Sequence, residues 1–113
     1  MSETTGTETP RWVVLVELTS LPAWLGLDRR GRAEIVQRDV DPVLAGFPQI
    51  RVEWVDVEAF TGACSDVLIA RTADLTAWNR LFERLRDTVL FSVPYFRVER
   101  ILTGLTDGYR DVA

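Results

Sequence analysis

Histidine and lysine are both missing from this chain of 113 residues, and cysteine occurs once. Without imidazole there is no Ser-His-Asp or Cys-His triad, no histidine-ligated haem and almost no catalytic zinc geometry. Without a side-chain amine there is no Schiff base and no lysine general base. The lone Cys64 can form neither an internal disulfide nor a thiolate cluster. It fits a reducing cytoplasm, the expected location, and its plainest role is as a small half-buried residue near a strand. No apolar run approaches the roughly 20 residues that a membrane span requires. The first ten residues lack the basic and apolar blocks of a signal peptide. They read as a disordered tail, and residues 11–113 read as one domain.

What remains is an ordinary globular alphabet. The hydrophobic fraction is 47%, and all 13 basic residues are arginine against 17 carboxylates, for a net charge of −4. The arginines are interleaved with acids rather than gathered into a patch, so nucleic acid is not an expected partner. Nor is a membrane.

Trp12 to Leu18 is rich in strand-forming residues and almost continuously apolar, as in a central strand. Thr19 to Leu27 reads as a connection whose Trp24 and Leu25 fold down onto the core. Asp28 caps a helix beginning at Arg29. Ala33, Val36, Val40, Val43 and Phe47 mark one face of it, and Pro42 should kink it or end its regular part near Asp41. Ile50 to Val57 alternates, with Ile50, Val52, Trp54 and Asp56 on one face. A hairpin loop containing Gly62 leads to a returning strand, Asp66 to Thr72. Asp74 caps a second helix whose buried face carries Leu75, Trp78, Phe82 and Leu85. After a connection from Val89 to Tyr95, Phe96 to Thr103 is the last strand, and Gly104 to Ala113 reads as a polar tail.

The order βαββαβ predicts an α+β, ferredoxin-like sandwich with both helices on one face of the sheet. The other face, apolar in its first strand, must be covered. A second copy in a dimeric α/β-barrel-type assembly, hence a homodimer, is the expected cover, or else a ligand-filled cleft.

Several short stretches occur in a familiar order: PAWL at Pro22 to Leu25, DVEAF at Asp56 to Phe60, CSD at Cys64 to Asp66, and the helix start at Asp74-Leu75. SVPYF at Ser92 to Phe96 and GLTDGY at Gly104 to Tyr109 complete the set. From about Trp12 to Tyr109 the chain resembles the darcynin family of small bacterial proteins. The resemblance implies a small cytoplasmic α+β protein and supplies no mechanism. Asp56, Glu58, Ser65, Asp66 and Tyr95 match the family pattern, whereas Glu53 and Arg71 depart from it, as if an ion pair had been inverted.

The residues able to do chemistry are few. Asp56 and Glu58 lie two apart at a strand end, with Asp66 across the hairpin. Three crowded carboxylates would raise at least one pKa and make a general acid, or offer oxygen ligands to a hard cation. The plainer reading is a solvated loop with Asp as turn former. Arg71, in an otherwise apolar strand, could clamp a carboxylate or enolate, or form an ion pair at a dimer interface. Tyr95 could donate to an oxyanion or simply pack. Trp24, Trp54 and Trp78 could line a pocket for a flat ligand or fill the core. The leading expectation is a cofactor-independent enzyme of cyclase, isomerase or lyase type. It would need only an apolar pocket, one acid or base and an oxyanion donor. A non-catalytic ligand-binding protein and a purely structural dimer are the alternatives.

Overall fold

The computed structural model describes residues 9–112, so the tail expected at the N-terminus falls mostly outside the described residues. Four strands, β1 (Trp12–Ser20), β2 (Arg51–Asp56), β3 (Asp66–Thr72) and β4 (Phe96–Leu105), form one antiparallel sheet in the order β2-β3-β1-β4. This is the ferredoxin-like arrangement. Val-rich β1 is central, paired to β3 on one side and β4 on the other.

Alternation along the strands divides the sheet into two faces. Val14, Val16, Leu18, Leu68 and Ala70 point to the helix side and are essentially inaccessible. Their neighbours Val13, Leu15, Val67, Ile69 and Arg71 are only half-buried and share the opposite face. Where β1 pairs with β4, the register shifts between Glu17 and Leu18. That bulge opposes an extra residue to the β1 pair and sets the consecutive Glu99 and Arg100 against Thr19 and Glu17.

The helical layer begins with α1 (Pro22–Leu25), a single turn inside what reads from sequence as a connection. A longer helical run follows: α2 (Arg29–Ile35), a widened π turn (Val36–Val40) and α3 (Asp41–Ala45). Asp28 caps α2, its Oδ1 accepting from the Gly31 N–H at 2.7 Å. Pro42 has no N–H to close an ordinary turn and is accommodated by this extra residue. The Asp41 N–H bonds back to the Val36 carbonyl, five residues away. Regular α bonding therefore gives way just before Pro42, as the proline suggests, but the helical run continues beyond it to Gly46. The buried stripe also changes phase. Ile35 and Val40, five apart, are buried, whereas Ala33 and Val36 of the expected face are exposed.

The other main helix, α4 (Leu75–Arg86), starts at Asp74, whose Oδ1 accepts from the Thr76 N–H at 2.8 Å. Its buried residues are Ala77, Trp78, Leu81, Phe82 and Leu85. A short α5 (Val89–Ser92), capped by Thr88, occupies part of the expected second connection. β4 runs two residues beyond the expected strand, and a 3-10 turn (Gly108–Val112) follows it. The polar C-terminal segment is fastened rather than free: Arg11 pairs with Asp111 at 3.0 Å and donates to the Thr106 carbonyl.

Candidate functional site

Between the helical run and the β2 side of the sheet lies a cavity of about 320 Å³, lined by Trp24, Val36, Val40, Asp41, Leu44, Val52, Trp54, Leu90 and Phe96. That is the lower end of the range for small-molecule sites, about 300–1,000 Å³. The π turn brings Val36, Val40 and Asp41 to one wall. Strand alternation puts Val52 and Trp54 on the facing wall, opposite Ala70 and Leu68 of β3. Val36, Asp41 and Trp54 are exposed, so the cavity opens to solvent between the widened turn and β2.

Three aromatic rings form its inner corner. Phe96 lies 4.9 Å from Trp24 and 5.3 Å from Trp54 between ring centroids, both inclined rather than stacked. Local structure explains the placement. Pro22 at the first position of α1 starts the turn that carries Trp24. The Leu21 N–H bonds to the Tyr95 carbonyl at 2.9 Å, and the Tyr95 N–H to the Leu90 carbonyl at 2.8 Å. These bonds tie α1, α5 and the start of β4 together. Trp54 is fixed from the other side, its indole N–H donating to Asp66 Oδ2 at 2.8 Å. The second oxygen of Asp66 accepts from the Ser65 hydroxyl at 2.6 Å, and the Ser65 oxygen accepts from the Ser20 N–H at 2.7 Å. A polar relay from the end of β1 thus holds one wall of an apolar cavity.

The residues singled out from sequence separate accordingly. Trp24 and Trp54 line the cavity, but Trp78 does not: it is buried on α4, stacked 5.1 Å from Phe82. Tyr95 packs edge-on against Trp24 at 5.5 Å. Asp56 and Asp66 are cross-strand partners at the end of the β2–β3 ladder. Asp56 acts as a turn former, its Oδ1 accepting from the Glu58 N–H at 3.2 Å. Asp66 buttresses Trp54. Among the described residues no three acidic or thiol side chains gather as a metal site, so Asp56, Glu58 and Asp66 do not offer the hard-cation site that spacing suggested. Arg71 faces the far side of the sheet, in register with Arg51 and Val13, with the β3 backbone between it and the cavity. Sequence reasoning missed Asp41, Phe96 and the π-turn residues. The usable signal was Pro42 inside an otherwise unbroken helical pattern, which calls for a widened turn as readily as for a break.

Cys64 is buried next to Ser65. Burial pushes its thiol pKa up, and the nearby carboxylates of Glu17, Asp66 and Glu99 push the same way. The thiol therefore stays protonated at pH values where a free cysteine begins to ionise. Ellman's reagent at pH 8 is expected to label the native protein at least about 10-fold more slowly than the urea-unfolded chain. Equal rates would show Cys64 to be accessible and unperturbed.

A family profile described as "Darcynin, domain of unknown function" matches residues 2–112. Among curated relatives, Darcynin of Chromobacterium violaceum is 40% identical over 70 residues, covering 62% of this chain and 89% of its own. Darcynin 1 of Acinetobacter baumannii is 33% identical over 85 residues, covering 75% of this chain and 94% of its own. Among solved structures, one described as a chlorite dismutase superposes with a TM-score of 0.75 at 24% identity, over 93% of this chain and 49% of the other. The chlorite dismutase of Candidatus Nitrospira defluvii in complex with imidazole gives 0.72 at 13% identity, over 88% and 41%. The chain thus spans half or less of the length of these structures, and the likeness is one of fold.

Proposed function

The chain belongs to the Darcynin family, and we propose that it binds a small, largely apolar, ring-bearing molecule in the cavity between the π turn and β2. The observation that carries this reading is the cavity itself: about 320 Å³, open to solvent, walled by Trp24, Trp54 and Phe96. Aromatic side chains offer large rigid contact area at little entropic cost. The likeness to chlorite dismutases brings no reaction across, and a haem held by histidine has no ligand in a chain without histidine.

Acid–base turnover of the bound molecule is the second reading. It is favoured by Asp41, the one ionisable residue among those lining the cavity, whose carboxylate has no hydrogen bond or ion pair among the described residues. In this form of the cofactor-independent proposal Asp41 moves the proton, and Asp56 and Glu58 have no part. Trp54 and Trp24 lie on the wall, so ligand entry should change tryptophan emission. Filling the cavity with Leu44→Trp is expected to weaken binding of phenyl and indolyl compounds at least about 10-fold, the scale of one lost ring contact. Leu44→Trp binding these compounds as well as the natural chain does would show that they sit elsewhere. Turnover that survives Asp41→Asn would remove the catalytic form and leave the binding form standing.

The face of the sheet away from the helices is proposed to meet the same face of a second copy. Val13, Leu15, Val55, Val67, Ile69 and Leu102 make it apolar along the middle. On the β4 side its charges are satisfied internally, Arg100 with Glu17 at 2.8 Å and Arg97 with Glu99 at 2.7 Å. On the β2 side they are not. Arg51 and Arg71 stand directly opposite each other and Glu53 lies one position along, none in an ion pair among the described residues. Like charges paired across a ladder are unfavourable. A two-fold arrangement that sets Glu53 of each copy against the arginines of the other relieves this, which is why a second copy suits the face.

A further inference from the structure

We infer that the ligand of this cavity is a monocation, an organic ammonium group carried on a ring-sized apolar body. The inference rests on the cavity-binding reading and adds the charge of the occupant. The residues lining the wall include one ionisable residue, Asp41, and no arginine. The cations nearby are already engaged. Arg38 is held by Asp39, with Nη2 to Oδ2 at 2.7 Å. Arg32 donates to the carbonyls of Trp24 and Leu25 and lies 5.9 Å from the Trp24 ring centroid. The indole N–H of Trp54, a donor that an anionic ligand could otherwise use, is spent on Asp66. An anion entering the cavity would lose its water and meet a carboxylate on an otherwise apolar wall, which is costly.

A cation meets the opposite situation. Trp24, Trp54 and Phe96 line one corner with three aromatic rings, and aromatic rings attract ammonium groups when water is excluded. The bond from the Trp54 indole N–H to the carboxylate of Asp66 pushes electron density into that ring and strengthens its negative face. Asp41, free of partners among the described residues, supplies the counter-charge at the opening. The aromatic corner and the carboxylate thus select for one charge, and the cavity volume limits the body to about one ring system.

Three compounds of nearly equal size separate charge from shape: 2-phenylethylamine, protonated at pH 7, 2-phenylethanol and phenylacetate. Each is titrated against the full chain, following tryptophan emission and calorimetry in parallel. The amine should bind at least 10-fold tighter than the alcohol, with phenylacetate weakest. Asp41→Asn should abolish the advantage of the amine without changing the alcohol, and Asp41→Glu should restore most of it. An alcohol that binds as tightly as the amine, with both excluded by Leu44→Trp, overturns the charge selection and leaves the cavity reading intact. Failure of all three to bind, or binding indifferent to Leu44→Trp, overturns both.

Discussion

Replacing Ile69 with lysine is expected to halve the solution mass of the protein while leaving each copy folded. Ile69 sits at the centre of the open sheet face, flanked by Leu15 on β1 and Glu53 on β2. In a lone copy the new ammonium can swing to Glu53 and to water, so the fold loses little; an exposed pair of this kind is worth about 0–1 kcal/mol. At the middle of a two-fold interface the same group would be desolvated against its own copy. An unpaired buried charge of that sort costs several kcal/mol, and each interface would hold two. At micromolar concentration that is enough to move the equilibrium wholly to single copies, since each 1.4 kcal/mol is about tenfold. Sedimentation equilibrium of the natural chain and of Ile69→Lys, with near-ultraviolet circular dichroism as the check on packing, decides the matter. A natural chain that already sediments at 12.8 kDa would remove the second copy from the proposal.

Leu81→Ala should have the largest effect on stability itself. Leu81 is fully inaccessible on α4, amid the apolar side chains that fill the space beneath the sheet. Truncation removes about 2–5 kcal/mol, combining lost transfer energy with the void left behind. Total stabilities are only about 5–15 kcal/mol, and a domain of this size loses roughly 4 °C or more in Tm per kcal/mol. A drop of about 10–20 °C in a reversible thermal melt is the expected outcome. Leu81 is not among the residues lining the cavity, so binding measured well below the new midpoint should change little. A shift under about 3 °C would mean that α4 packs more loosely than its burial indicates.

Most of the fold could be read from the chain because its local signals agree with one another. Asp28 and Asp74 each precede a helical pattern and each caps a helix. The run from Asp66 to Thr72 is a strand with those boundaries. The alternation in β2 puts Val52 and Trp54 on one face, and in the structure they do share one, opposite Ala70 and Leu68. The site was harder to see because it is made by the relation between elements. Trp24, Trp54 and Trp78 are equivalent as letters, yet only the first two stand beside the cavity; the third lies along α4 against Phe82. Asp41 looks like any solvent-facing helical acid until its backbone N–H is seen closing a bond to Val36. Arg71 is a charge in an otherwise apolar strand, but alternation puts it on the far face from the cavity. The short helices α1 and α5 fall below the length at which periodicity can be recognised.

The widened turn before Pro42 also means that this helix carries one residue more than its orientation needs. Ile35 and Val40, five apart, both face the core. Take one residue out between them, and they would stand four apart, the ordinary same-face spacing of a regular helix. The stripe through Val43, Leu44 and Phe47 would still meet the sheet. The burden would fall instead on Pro42, whose ring would then have to face the carbonyl four residues back in a regular turn. A one-residue gap in this stretch is therefore a test of how much the proline needs its spare residue.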